Sequence, residues 1–415
     1  MKPVPHPRRR LLFLLPFPPR LDGTHGGARV AASLIHALAA HHDVACVYFR
    51  AADEPRFDEH VAARCAVVVE VPVPARVSTL TRIARRLAPL RGVPTWAAWR
   101  SEPAFARRAV EVSAAWTPDV VHFEYHVMGQ YAFALRNSTA MRVLTQYEAG
   151  VLAAGEHLST RSEGAPASRL EQRAWARFER RVMRDMDVVV VFSERDRAAL
   201  APLAGSTPIV RIPIGAALPA TPLDPLGIEQ PPLLVFIGNF GHPPNRDAAV
   251  RLAEAILPGV RAAVPTARLR IVGEAPPRRV AGVAGVETTG VVADVAPHLN
   301  DATLVVVPLR VGGGMRVKVL EALAHGKAVV ASPRAVEGLD VESGVQLVVA
   351  ETDEQFVAEI VRLLRAPSTR RQLAANARTW ACTHLGERRW VADYEALYER
   401  FADTAETAGT NGEPE

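Results

Sequence analysis

Two α/β domains joined by a proline-rich hinge are what this sequence predicts, and three observations predict them. Short apolar runs alternate with helix-period segments along the whole chain, the pattern of parallel strands and their crossover helices. The length of 415 residues is more than one core usually takes. Residues 219–232 hold five prolines and no apolar period, so the division falls there.

The first domain, residues 10–218, opens on the apolar run 11–15. Arg8, Arg9 and Arg10 ahead of it imitate an export signal, but Pro16, Pro18 and Pro19 cut the run short and no small-residue cleavage site follows. It is therefore read as the first buried strand. A glycine-containing loop, 22–27, leads into a helix over 28–40. Further strands are expected at 44–49, 67–71, 120–123, 141–145 and 188–192, with a long polar helix over 167–184. Ser193 then supplies a helix cap.

The second domain, 233–385, repeats the alternation: strands at 233–237, 268–272, 304–307 and 328–331, helices at 245–263 and 315–325. Thr352 and Gln355 form a capping box for an amphipathic helix carrying Phe356, Ile360 and Leu363 on one face. Helices at 368–383 and 387–401 follow, and the segment 386–402 is expected to pack back on the first domain. Residues 403–415 are small and polar, the composition of a disordered tail. Two consecutive domains of this kind bind ligands in a cleft at the carboxyl ends of their strands.

Hydrophobic residues make up 49% and charged residues 22% of the chain, with a formal net charge of +5. That is a globular composition, mildly basic, which suits anionic ligands. Zinc spacing, RNA-binding aromatic signatures and dense basic runs are all missing, so nucleic acid is not an expected partner. Cys46, Cys65 and Cys382 are odd in number and far apart. They imply neither a disulfide framework nor a metal site, and they suit a reducing cytoplasm. No apolar stretch reaches the roughly 20 residues of a spanning helix.

The strongest local signal runs from Pro308 to Gly326. A strand ends at Pro308; Gly312, Gly313 and Gly314 let the backbone approach a ligand; a helix begins near Met315. Free N–H groups at that start, the helix dipole, Arg316 and Lys318 together make an anion site fit for a diphosphate. Glu321 shares a helix face with Lys318 and can accept hydrogen bonds from ribose hydroxyls. Neither a Walker loop nor a Gly-x-Gly-x-x-Gly fingerprint is present.

This segment, continued through Ala335-Val336-Glu337-Gly338-Leu339-Asp340-Val341, resembles the donor-binding segment of the retaining glycosyltransferases of family 4, which have the GT-B fold: two Rossmann-like domains with parallel sheets facing a central cleft. Supporting matches are Phe17-Pro18-Pro19 with Gly26-Gly27, Asp119-Val120-Val121-His122, Val190 to Glu194, and Phe236-Ile237-Gly238 with Pro243-Pro244-Asn245. They span about residues 10–400. The Gly-Gly-Gly-x-Arg-x-Lys variant resembles members acting in polysaccharide or exopolysaccharide assembly.

The resemblance implies a hexosyltransferase-like enzyme. It would move a sugar from a UDP- or GDP-linked donor to a glycan or lipid-linked acceptor, with retention and without a required metal or cofactor. The acceptor would bind the first domain and the donor the second. Gly26, Gly27, Gly238, Gly273, Gly313, Gly314, Arg316, Lys318 and Glu321 are the residues expected at the donor. Glu124, Arg316 and Lys318 are those expected in catalysis, which would rest on positioning and on stabilising the leaving diphosphate.

Glu124 follows a strand where family members often carry a histidine; Glu148 is a second acidic candidate, and His122 reads as a packed strand residue. Two departures stand out. The family's Glu-x7-Glu is represented only by Glu321, with Gly313 at the first place, and Asn239 and Asn245 lie near the usual Arg and Lys. Phosphate neutralisation then falls to Arg316 and Lys318. A nucleotide-sugar 2-epimerase-like isomerase and a non-catalytic nucleotide-sugar-binding protein remain as alternatives.

Residues 79–91 place Leu80, Ile83, Leu87 and Leu90 on one helical face and Arg82, Arg85, Arg86 and Arg91 on the others, with Trp96 and Trp99 following. Such a segment either packs on its own sheet or lies peripherally on an anionic membrane.

Overall fold

Leu11, Leu12, Phe13, Leu14 and Leu15 are fully buried in the hydrophobic core, and the strand they belong to has a parallel neighbour on each side. The run that imitates an export signal is thus an interior strand of a sheet. The computed structural model describes residues 7–23, 26–160, 166–215, 218–292, 294–312 and 315–409, without the side chains of 156–167 and 402–409.

The first sheet contains β1 (Arg10–Leu15), β2 (Asp43–Arg50), β3 (Val67–Pro72), β4 (Val120–Glu124), β5 (Met141–Gln146), β6 (Val188–Val191) and β7 (Ile209–Arg211). The second contains β8 (Leu233–Ile237), β9 (Arg268–Val272), β10 (Val286–Thr288), β11 (Leu304–Val307), β12 (Val329–Ala331) and β13 (Val348–Val349). Their orders are β3-β2-β1-β4-β5-β6-β7 and β10-β9-β8-β11-β12-β13. The two orders agree over six strands, β7 being extra, with the first strand of each sheet lying inside and the strand order reversing between β1 and β4, and between β8 and β11. All the strand pairs are parallel. Strands covered on both faces read as unbroken apolar runs, which is why LLVFI in β8 and VVVV in β6 are buried at every position. The fold is GT-B, two Rossmann-like domains.

The helix over 245–263 expected from the sequence is continuous but not regular. It runs as Pro243–Arg251, a π turn Leu252–Ile256 and Leu257–Ala263. The carboxy-terminal helix Glu387–Gly409 returns to the first domain. There the Tyr398 hydroxyl lies 2.8 Å from His122 Nε2, and Glu395 meets Arg9 and His42 at 3.1 and 2.8 Å. Its backbone stays helical to Gly409, where the composition of 403–415 had indicated a disordered tail; alanines and glutamate in Ala402–Ala408 are good helix formers.

The proline-rich segment behaves differently from a loose hinge. Leu223 N–H bonds the His325 carbonyl at 2.9 Å, and the Pro219 carbonyl accepts from Arg378 at 2.6 Å. Buried Lys327 donates to the Asp224 carbonyl, and buried Arg370 pairs with Glu229. The five prolines thus mark a strap lying along the second domain.

Candidate functional site

Parallel strands point all their carboxyl ends one way, so the segments that follow them collect along one edge of each sheet. Those two edges face each other across a cavity of about 970 Å³. Tyr125 and Tyr147 reach it from beyond β4 and β5, Gly238 and Gly273 from beyond β8 and β9, and Leu309 from beyond β11. The volume is at the upper end of what ligand pockets usually have.

Gly312, Met315, Arg316, Val317 and Lys318 line the cavity. Arg316 takes a left-handed conformation, φ 52°, at the start of the helix Val317–Ala324, and among the described residues no side chain caps that start. A helix without a cap keeps donors for a ligand. Lys318, in the first turn, donates to Asn245 Oδ1 at 2.8 Å and stands 5.9 Å from the centre of the Phe236 ring. Burial, with Arg316 and Arg29 nearby, pushes its ammonium down to about 8. Asn245 is itself tied to the Asn239 carbonyl at 2.8 Å. Near the place of the family's usual lysine, this asparagine holds Lys318.

Arg316 is less available than its place in the sequence suggested. Its side chain is 6% exposed and pairs with Glu337 at 2.9 Å, while Nη1 donates to the Gly312 carbonyl at 3.1 Å. Glu337 also meets Arg334 at 2.7 Å and Arg195, from the first domain, at 3.5 Å. Gly338 beside it has φ +81° and approaches Ser193 so closely that a Cβ would stand 2.9 Å from the serine Cβ. The stretch after Ala335 is therefore a joint between domains as well as a neighbour of the cleft.

Glu321 accepts from Arg29 at 3.0 and 3.3 Å. Arg29 lies in the helix Gly26–Leu38 of the first domain, so this pair spans the cleft. Arg29 is a cavity-lining cation that the sequence reading missed; its only signal is its place in the first turn after Gly26-Gly27. Gly26 faces the other domain, where a Cβ would lie 3.1 Å from Val317 Cγ2. Gly27 makes room for the Tyr125 hydroxyl, which would be 1.7 Å from its Cβ. Gly238 and Gly273 touch: a Cβ on Gly273, at φ +136°, would stand 1.9 Å from the Gly238 carbonyl oxygen. Gly313 and Gly314 lie outside the described residues.

Glu124, expected at the cleft, is not among its lining residues. It is 1% exposed and accepts from Thr145 Oγ1 at 2.9 Å and the Tyr147 hydroxyl at 2.7 Å. The reason is the period of two along β4, which turns Glu124 to the same side as His122. His122 is the packed residue it was read as, stacked 4.4 Å from Phe13. Tyr125, which follows β4, and Tyr147 and Glu148, which follow β5, do line the cavity. Among the described residues no three histidine, cysteine or acidic side chains gather as a metal-binding group.

Comparison with known proteins places this geometry. Residues 25–215 match the family model of the glycosyl transferase 4-like domain, and residues 231–366 match that of glycosyl transferases group 1. No curated protein is matched by the sequence. Among solved structures, sucrose-phosphate synthase from Thermosynechococcus elongatus is similar with a TM-score of 0.72 at 19% identity, over 95% of this chain and 100% of that one. HepE from Anabaena, in complex with UDP and glucose, gives 0.65 at 13% identity over 94% and 100%. A glycosyltransferase from Rickettsia africae gives 0.61 at 12% identity over 95% and 98%.

Proposed function

The chain belongs to the glycosyltransferases, with a 4-like amino-terminal domain and a group 1 carboxy-terminal domain, and on that premise we propose that it moves a sugar from a nucleotide-diphosphate donor to a glycan or lipid-linked acceptor, with retention. One observation carries the donor half of this reading. The uncapped start of the helix Val317–Ala324, with Lys318 in its first turn, opens into the cavity between the domains. Donors fixed in advance around a developing diphosphate stabilise it without reorganisation. The presence of UDP in the HepE complex supports a uridine-linked donor; a guanosine-linked one fits the same phosphate site.

In this reading the second domain, 233–385, holds the donor and the first, 10–218, the acceptor. Gly26 and Gly27 let the helix start at Gly26 come close to the sugar and phosphates from the opposite wall. Glu321 leaves Arg29 to bind the ribose. Glu124 acts one step removed: it fixes the Tyr147 hydroxyl, and Tyr147 shapes the wall where the acceptor enters. The leaving diphosphate, held by Lys318, takes part in removing the acceptor's proton. An acceptor used in polysaccharide assembly and carried on a lipid calls for an enzyme working peripherally at the cytoplasmic face of a membrane. No helix among the described residues is long and apolar enough to cross one.

Thermal unfolding with a panel of UDP- and GDP-sugars tests the donor, because a ligand that binds only the folded state raises the unfolding temperature. The binding donor is then incubated alone and with glycan and lipid-linked acceptors, and the products are resolved by mass and anomeric configuration. Sugar transfer that depends on acceptor is expected. Isomerised donor sugar formed without acceptor would replace the proposal by an epimerase, and binding without any turnover would replace it by a binding protein.

A further inference from the structure

Residues 71–101 contain six arginines (Arg76, Arg82, Arg85, Arg86, Arg91 and Arg100) and no aspartate or glutamate. Within them lie the helix Thr79–Arg86 and the 3-10 turn Ala88–Arg91. Not one residue of that helix is buried. Leu80 is 79% exposed, Ile83 49%, Leu87 51% and Leu90 62%, so the apolar face does not pack on the sheet. Leucine and isoleucine on a surface are ordinary when scattered; four together on eleven residues form a patch, and patches mark contacts.

The patch is anchored on its inner side. Arg85 turns inward, pairing with Glu102 and lying 5.1 Å over the Trp99 ring. Among the described residues Arg76, Arg82, Arg86 and Arg91 form no ion pair, and Arg82 and Arg86 lie beside the apolar stripe at helical spacing. The segment leaves the carboxyl end of β3, the edge on which the cleft opens. Trp96, in the next helix Thr95–Trp99, packs 5.6 Å from Tyr125, a residue of the cavity wall.

We propose that this face docks on an anionic lipid bilayer. Leu80, Ile83, Leu87 and Leu90 enter the boundary between headgroups and acyl chains, and Arg82, Arg86 and Arg91 meet lipid phosphates. Charge decides between this occupant and a second copy of the chain. A self-complementary contact would bring these arginines against their own copies with no acidic residue in the segment to answer them, and like charges facing each other oppose association. A bilayer carries the opposite sign and accepts the apolar side chains together with the cations. Docking there brings the mouth of the cleft to the lipid surface. The proposal does not depend on which nucleotide the cleft takes.

Co-sedimentation of the full chain with vesicles tests it, comparing phosphatidylglycerol-containing with pure phosphatidylcholine membranes. The parent protein is expected to pellet with the anionic vesicles and to stay in solution with the neutral ones, the more so as salt is lowered. One arginine near an anionic surface strengthens binding about fivefold, so Arg82→Ser with Arg86→Ser should weaken it about 25-fold. Leu80→Ser with Leu90→Ser should weaken it by about tenfold or more. Both pairs are exposed, so unchanged unfolding temperatures and donor-induced stabilisation are expected and guard against misfolding. Equal binding by parent and variants, or no binding by the parent, overturns the proposal. So does a dimer in sedimentation velocity that the leucine variant abolishes, which would assign the patch to a second copy.

Discussion

Arg29 of the first domain and Glu321 of the second meet across the cleft at 3.0 Å, so the carboxylate proposed to bind ribose already has a cationic partner. The magnitudes say which partner matters more. A partly exposed ion pair is worth about 0.2–1 kcal/mol, whereas hydrogen bonds from ribose hydroxyls to a carboxylate are worth about 1.5–3 kcal/mol. Glu321→Gln should therefore weaken donor binding about tenfold or more, and Arg29→Ala should change it by less than about fivefold. Titration calorimetry of the two variants checks this. Equal losses would mean that Glu321 acts by latching the domains and does not touch the donor.

Lys318 gives the pH dependence. Burial and the neighbouring arginines push it down to about 8, so the free protein loses this cation as pH rises through that value. A bound diphosphate favours the charged form, and binding above about pH 8 must then take up a proton. Donor affinity should be level below that pH and fall above it by up to about tenfold per pH unit. Lys318→Met should bind weakly at every pH, without that slope. A parent protein whose affinity is flat from about pH 7 to 9.5 would exclude Lys318 from the phosphate site.

What was legible in the chain and what was not follows from the range of the forces involved. β8, β9 and β11 have the ends that the sequence indicated, because strands covered on both faces are apolar at nearly every position. The edge strands β7, β10 and β13 were missed. They are two or three residues long and mostly half-exposed, so neither length nor pattern marks them. The glycine-rich segment was legible as the start of a helix with Arg316 and Lys318 beside it, since its parts are adjacent in the chain. Its partners were not: Arg29 and Glu321 are 292 residues apart, and no local pattern carries a contact of that separation. Glu124 was misplaced for a different reason. The strand end was found, but the alternation that pairs Glu124 with His122 and sends Tyr125 to the cleft was not carried through to its last residue.

Gly27 ties the first helix to the cavity wall. A methyl group there would stand 1.7 Å from the Tyr125 hydroxyl oxygen, and Tyr125 is itself stacked on Tyr147 at 3.9 Å. Gly27→Ala must displace that ring, at a cost of about 1–3 kcal/mol, and should reduce turnover together with stability. Adding Tyr125→Phe removes the oxygen in closest conflict, so the double variant should regain part of both losses. A double-mutant cycle on unfolding free energy measures the coupling; strictly additive effects would show that the conflict is relieved elsewhere.

Glu337 provides the test of how Arg316 is used. The carboxylate faces Arg316, Arg334 and Arg195 at 2.9, 2.7 and 3.5 Å, and Arg316 is nearly buried. Glu337→Gln removes the charged group that faces that cation, though not its bond to the Gly312 carbonyl, which should destabilise the protein by about 1–3 kcal/mol, less than for a fully buried pair because Glu337 itself is partly exposed. An anion bound in the cleft can then play a part the carboxylate no longer plays. If Arg316 reaches the donor's phosphates, the donor should raise the unfolding temperature of Glu337→Gln by more than it raises that of the parent. If Arg316 only holds the joint between the domains, the two increments should be equal, and phosphate neutralisation on this wall rests on Lys318 and the amides of the helix start.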